Sequence, residues 1–338
     1  MEPNVKPVIP RWAWAALTLA AVAAVLALFA MEKTSEPAGI LKYDVSGHAK
    51  VDADHVRFRE MARVDLALEN PTGLAVTADG RWLVTGENVL LILDASGREL
   101  ARRELGGTPD CVASGPDGKI YLGMRRNIEV RDAEGLSPSL WPDLGERAWI
   151  SALAVDENNV YAADSGNRAL LRLDPAGNVV GRIGQRDPER GIPGLILPSP
   201  HMRVMFDAMG GLWVTNTGRH GFEQYRPDGT LVSSWYKASM GLDGFCGCCN
   251  PSAAAFRSDG SVVTAEKGIV RVKVHAPDSS LVGVVAAPES LGAVLNPESG
   301  PEDALVVPDV AVDAEDRVLV LHAPWKKILV FEEQPAAG

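Results

Sequence analysis

From about residue 51 onward the chain is written in short apolar runs cut by turn dipeptides, and no stretch sustains the i, i+3, i+4 apolar spacing of a long helix. Period-two alternation is visible in 55-HVRFREMARV-64 and predicts a strand over Val56 to Val64. Further along, tight turns fall at Asp79-Gly80, Asp117-Gly118, Asn158-Asn159, Gly210-Gly211, Asp259-Gly260 and Glu315-Asp316. Each follows an apolar strand such as 73-GLAVTA-78 or 309-DVAVDA-314 and precedes another such as 82-WLVTG-86 or 212-LWVTN-216. A second turn comes about 17 to 19 residues after the first, at Ser96-Gly97, Glu134-Gly135, Ala176-Gly177, Asp228-Gly229 and near Asp278-Ser279.

Strand, hairpin, longer loop, strand, hairpin and outer strand is the order of a four-stranded antiparallel blade. Six such units predict an all-β, six-bladed β-propeller over residues 51–334. The sixth unit stops one strand short after 327-KILVFEE-333, and the leftover N-terminal strand completes it, which leaves no blade edge unpaired. At the level of residues, 160-VYAADSGNRALLRLDPAGNVV-180 resembles an NHL repeat, and the six units together resemble NHL-type propellers. The segments 216-NTGRHGFEQYRPDG-229, 245-FCGCCNP-251 and 264-TAEKGIVRVKV-274 are similar to those of exported bacterial NHL-repeat proteins. That resemblance implies the fold; NHL propellers include protein-binding and nucleic-acid-binding modules and a metal-using lyase, so it does not choose an activity.

Ahead of the repeat lies 12-WAWAALTLAAVAAVLALFAM-31, an uncharged run of about the ~20 residues that cross a bilayer as a helix. Lys6 and Arg11 precede it, which orients residues 1–11 to the cytoplasm and residues 32–50, a polar tether, to the far side. The expectation is a single-pass signal-anchor in the cell inner membrane with a periplasmic main domain and a short tail at 335–338; a cleaved signal peptide is the rival reading. The net charge of −11 and the lack of a Lys/Arg block argue against nucleic acid as a partner. An envelope protein partner fits better.

Candidate chemistry collects at one mouth of the predicted channel. Spacing to the turns puts Cys111, His201, Cys249 and Asp309 at the starts of innermost strands, and Cys246 and Cys248 beside Cys249. Arg219, His220, Glu266, Lys267 and His322 fall on loops joining second and third strands, which share that face and form a predicted binding face. In an exported domain, four cysteines allow two structural disulfides or a redox-active one. With His201 they also make a candidate metal site for zinc, copper or an iron–sulfur centre. Glu266–Lys267 reads as an ion pair or an acid–base pair, and Arg271 and Lys273, alternating with valines, read as the solvent face of a strand. Asp156 and Asp313 close innermost strands and could ligate calcium or magnesium, though turn chemistry explains them as well. The reading that follows is a membrane-tethered binding or assembly module with a redox or metal connection. Its competitor is a metal-dependent lyase or hydrolase at the channel mouth.

Overall fold

The computed structural model describes residues 10, 12–14, 16, 19–20, 22–23, 46–247, 249–293 and 306–335. The chain divides into two compact units, Met1–Asp44 and Val45–Gly338. In the first, the described residues from Trp12 to Ala23 are helical, but most of the expected span over 12–31 lies outside the described residues, as do 32–45 of the tether. Among the described residues no helix is long and apolar enough to cross a membrane.

In the second unit the described strands form six four-stranded antiparallel sheets. Five run in simple chain order, from Gly73–Val76 through Glu99–Glu104 in blade one to Ala253–Phe256 through Leu281–Ala286 in blade five. The sixth consists of Asp309–Val312, Val318–His322, Lys327–Glu333 and, as its outer strand, Phe58–Asp65. Phe58 stands opposite Glu333 and Asp65 opposite Lys327, so the two ends of the chain are joined in one sheet as the sequence predicts. The closing strand runs from Phe58 to Asp65, against the expected Val56 to Val64. Hairpin glycines take the left-handed conformation where side chains would be strained, as at Gly80 (φ 84°) and Gly118 (φ 78°).

Among the described residues the core consists of six apolar clusters, one between each pair of neighbouring blades. Leu91 and Leu93 of blade one pack with Leu319, Leu321 and Ile328 of blade six, while Leu90 and Ile92 of the same strand face Val112, Ile120 and Leu122 of blade two. The period-two alternation of a strand therefore divides residues between two buried faces instead of a buried and a wet one. The cluster joining blades six and one closes the ring, and the first strands of successive blades touch around its axis.

Candidate functional site

The six innermost strands start at a common mouth, and Arg203 crosses it. From the start of blade four, its Nε donates to the Ser252 carbonyl of blade five at 3.3 Å and its Nη1 to the Ser151 carbonyl of blade three at 3.5 Å. Nη2 bonds the Pro308 carbonyl and lies 3.4 Å from Asp309 Oδ1, both of blade six. Asp309 is buried and accepts the Leu74 N–H at 3.1 Å and the Val310 N–H at 3.0 Å. Burial pushes its carboxyl above the ordinary range, opposed by Arg203 and these N–H groups. His201, half-buried, is pushed down to about 4 by burial and by the positive charges of Arg203 and Lys267. Cys111, as spacing predicts, begins blade two's innermost strand, where its thiol donates to the Ile150 carbonyl at 3.6 Å. Burial drives that thiol far up, away from thiolate.

The second assembly is the segment from Lys237 to Asn250, which joins blade four to blade five. Val272 and Val274 face blade six, so Arg271, Lys273 and His275 face blade four, and all three are fully buried. Glu266, also fully buried, accepts Arg271 Nε at 2.5 Å and Lys273 Nζ at 3.1 Å. Both cations then reach the joining segment: Lys273 Nζ donates to the Gly244 carbonyl at 2.5 Å and Arg271 Nη1 to the Met240 carbonyl at 3.4 Å. Burial brings the Lys273 ammonium down to about 8 against the pull of Glu266. Phe245, fully buried, lies beneath Lys273 (4.8 Å to the ring centroid) and packs against Phe222, Trp235 and His275.

Asn250 clamps the other end of the segment. Its Nδ2 donates to the carbonyls of Cys246 (2.6 Å) and Lys267 (2.8 Å), and its Oδ1 accepts the Lys267 N–H at 2.7 Å. On the blade-four side His220 Nε2 hydrogen-bonds the Gly247 carbonyl. Arg219 sits over the Tyr236 ring at 5.7 Å. Beneath it the fully buried Glu223 accepts Asn216 Nδ2 (2.8 Å) and Tyr236 OH (2.6 Å) on one oxygen and Tyr225 OH (2.5 Å) on the other. Burial and Glu223 push the Tyr236 hydroxyl up to about 12.

Several expectations are corrected by this geometry. Glu266 does not pair with Lys267; its partners are Arg271 and Lys273, which are core residues and not a solvent face. The cause is the propeller itself, in which both faces of a third strand are covered by neighbouring blades. His322 does not look out from the rim: it is 1% exposed, stacks on Trp325 at 4.0 Å, bonds the Leu291 carbonyl through Nε2 at 2.9 Å and accepts the Trp325 N–H at 3.2 Å. Asp156 and Asp313 are spent on turns, accepting N–H groups of Asn158 and Asn159, and of Glu315 and Arg317. Cys111 and Cys246 carry free thiols, so the four cysteines do not form two disulfides.

Cys248 lies outside the described residues, and among those described no three His, Cys, Asp or Glu side chains come together to hold an ion. Cys249 is buried, whereas Cys246 is half-buried beside Glu266, and burial raises its thiol above the usual range. His201, Lys267, Arg219 and His220 do share the mouth side with the cysteine segment, through Arg203, Asn250 and the His220–Gly247 bond. Arg203, Asn250, Glu223 and the Arg271–Lys273 pair are what sequence reading missed. A signal existed for the last pair: the third strand of blade one, 89-VLLIL-93, is apolar throughout, and charges at such a covered position need a buried counter-ion, as Arg131 finds in Glu129 of blade two.

No protein-family model and no curated relative matches the chain. By fold it is similar to a streptogramin B lyase, with 13% identity over 84% of this chain and 100% of the other and a TM-score of 0.55. It is also similar to virginiamycin B lyase from Staphylococcus aureus, with 12% identity over 83% of this chain and 89% of the other and a TM-score of 0.52. A protein of unknown function from Bacteroides thetaiotaomicron gives 15% identity over 82% and 72% and a TM-score of 0.56. At such identities the likeness establishes the propeller and nothing of its chemistry.

Proposed function

We propose that the chain is an NHL-type propeller, tethered to the inner membrane by residues 12–31, that works as a binding or assembly module for an envelope protein partner. The contact surface is the rim of blades four and five. One observation carries this reading: the segment bearing Cys246 is anchored from beneath by the Glu266–Arg271–Lys273 triad and clamped by Asn250, while Arg219, His220, Cys246 and Lys267 remain partly exposed above it. Of the acid–base candidates for the competing reading, Glu266 is committed to the buried pair of cations and His220 Nε2 to the Gly247 carbonyl. A rigid, presented segment whose buried charges are consumed by structure suits recognition, where preorganisation lowers the cost of binding. The competing metal-dependent lyase or hydrolase needs a ligand set, and the described side chains do not supply one.

The test is capture from detergent-solubilised envelope by the immobilised full chain, wild type against an Arg219→Ala/His220→Ala double variant. Retention of a specific protein by the wild type and its loss in the double variant is the expected result. Equal retention by both refutes the rim as the contact surface. A stoichiometric bound metal in the purified chain, lost on Cys246→Ser, would favour the enzymatic reading instead.

A further inference from the structure

A second, separate site lies on the outer edge between blades three and four. In blade one, Arg81, Arg98 and Arg102 are each paired with a carboxylate. By contrast, among the described residues no carboxylate oxygen lies within 4.0 Å of Arg172, Arg182, Arg186, Arg190 or Arg226. In a chain of net charge −11 such a group of guanidiniums without a direct ion pair is unexpected. Three of them, Arg182, Arg186 and Arg190, line a single pocket of about 360 Å³ together with Asp187, Glu189 and Gly229.

The pocket is built on a braced loop. Asp187 and Ile192 exchange backbone hydrogen bonds of 2.9 and 2.8 Å, and the Gly184 carbonyl accepts the Leu195 N–H at 3.0 Å. Arg190 Nη2 reaches the facing hairpin of blade four, donating to Thr230 Oγ1 at 3.1 Å and the Asp228 carbonyl at 3.5 Å. Behind the wall, Arg172 Nη1 donates to the Pro227 carbonyl at 3.0 Å, and its Nε is buried with no hydrogen-bond partner. Two acids, Asp187 and Glu189, belong to the pocket wall, and Asp228 lies beside it within the field of Arg190 and Arg226. Asp187 accepts the N–H groups of Glu189 (3.1 Å) and Arg190 (3.2 Å), and Asp228 that of Thr230 (2.8 Å), so two of the three carboxylates are turned to backbone.

We propose that this pocket binds a small oxyanion-bearing ligand, a phosphate or sulfate ester, through the guanidinium forks of Arg182, Arg186 and Arg190. Planar forks match tetrahedral oxyanions in paired hydrogen bonds, and the volume suits a group of monosaccharide size. The site uses none of the rim residues and stands or falls independently of the binding-module reading. Titration calorimetry of the full chain with inorganic pyrophosphate, and separately with sulfate, tests it. Saturable binding at one site per chain is expected, weakened about tenfold or more by Arg186→Gln/Arg190→Gln, since lost charge-assisted bonds carry at least that much. Preference for pyrophosphate assigns a phosphate ester, and preference for sulfate a sulfate ester. Arg182→Gln, on an exposed outer-strand residue, gives the same direction of change should the double variant fold poorly. Absence of saturable binding by either anion, or binding unaffected by the substitutions, overturns the proposal.

Discussion

The third strands of blades one and five occupy equivalent places and are built from opposite materials. In blade one, Val89–Leu93 supplies aliphatic side chains to both neighbouring blades. In blade five, Val272–His275 is equally buried, but only its valines serve the apolar core towards blade six. Towards blade four it presents Lys273 and His275, joined by Arg271, against one buried carboxylate. Apolar packing would hold two blades together at lower desolvation cost. What the ionic strand does that leucines would not is reach out of the sheet, through Lys273–Gly244 and Arg271–Met240, and fix the backbone of a long connection. The blade-one strand secures the contact between blades; the blade-five strand also secures the connection that precedes its blade.

Substitutions separate these two roles. Glu266→Gln should have the largest effect, about 3–5 kcal/mol of lost stability, because it leaves two buried cations without a counter-charge; urea denaturation of the full chain measures it. Leu91→Ala should cost about 2–5 kcal/mol through the cavity it opens, while alkylation of Cys246 by a thiol reagent proceeds at the wild-type rate. Equal disturbance of Cys246 by both substitutions would erase the distinction. Asn250→Ala removes three hydrogen bonds to buried or half-buried backbone and should cost about 1–3 kcal/mol, with Cys246 alkylation accelerated.

His275→Phe should be close to neutral at pH 8 and show its effect only in acid. The His275 imidazole is held down to about 3 by burial first and the Lys273 charge second. In the unfolded chain it takes a proton near pH 6.5, so the folded state loses stability as pH falls from about 6.5 towards 3. At pH 5 the loss is about 2 kcal/mol at 1.36 kcal/mol per pH unit, and the phenylalanine variant, seated between Trp235 and Phe245, should recover it. A stability–pH curve with the same acid slope in both proteins would contradict this.

The ring was legible because turn dipeptides recur with fixed spacing, and the closing strand because one unit was short and one strand spare. Placement of Cys111, His201 and Asp309 at one mouth followed from counting residues back from the turns, a calculation that needs only topology. Side-chain partners did not follow from it. Alternation of Arg271 and Lys273 with valine has the signature of a half-wet strand, and it misleads where both faces are covered. Arg203, inside 201-HMRVMF-206, carries no local mark of a residue that bonds three other blades. The arginines of blades three and four that lack a direct ion pair are scattered from 172 to 226, so they read as ordinary surface until the fold gathers them.

Hydrogen–deuterium exchange on the full chain, wild type against Glu266→Gln, bears most directly on the claim that a buried ionic triad holds the cysteine segment in place. Faster exchange confined to residues 237–250 and the strands of blade five, with Val89–Leu93 as protected as before, is the predicted pattern. Exchange that rises evenly through all six blades, or that leaves 237–250 unchanged, would contradict it.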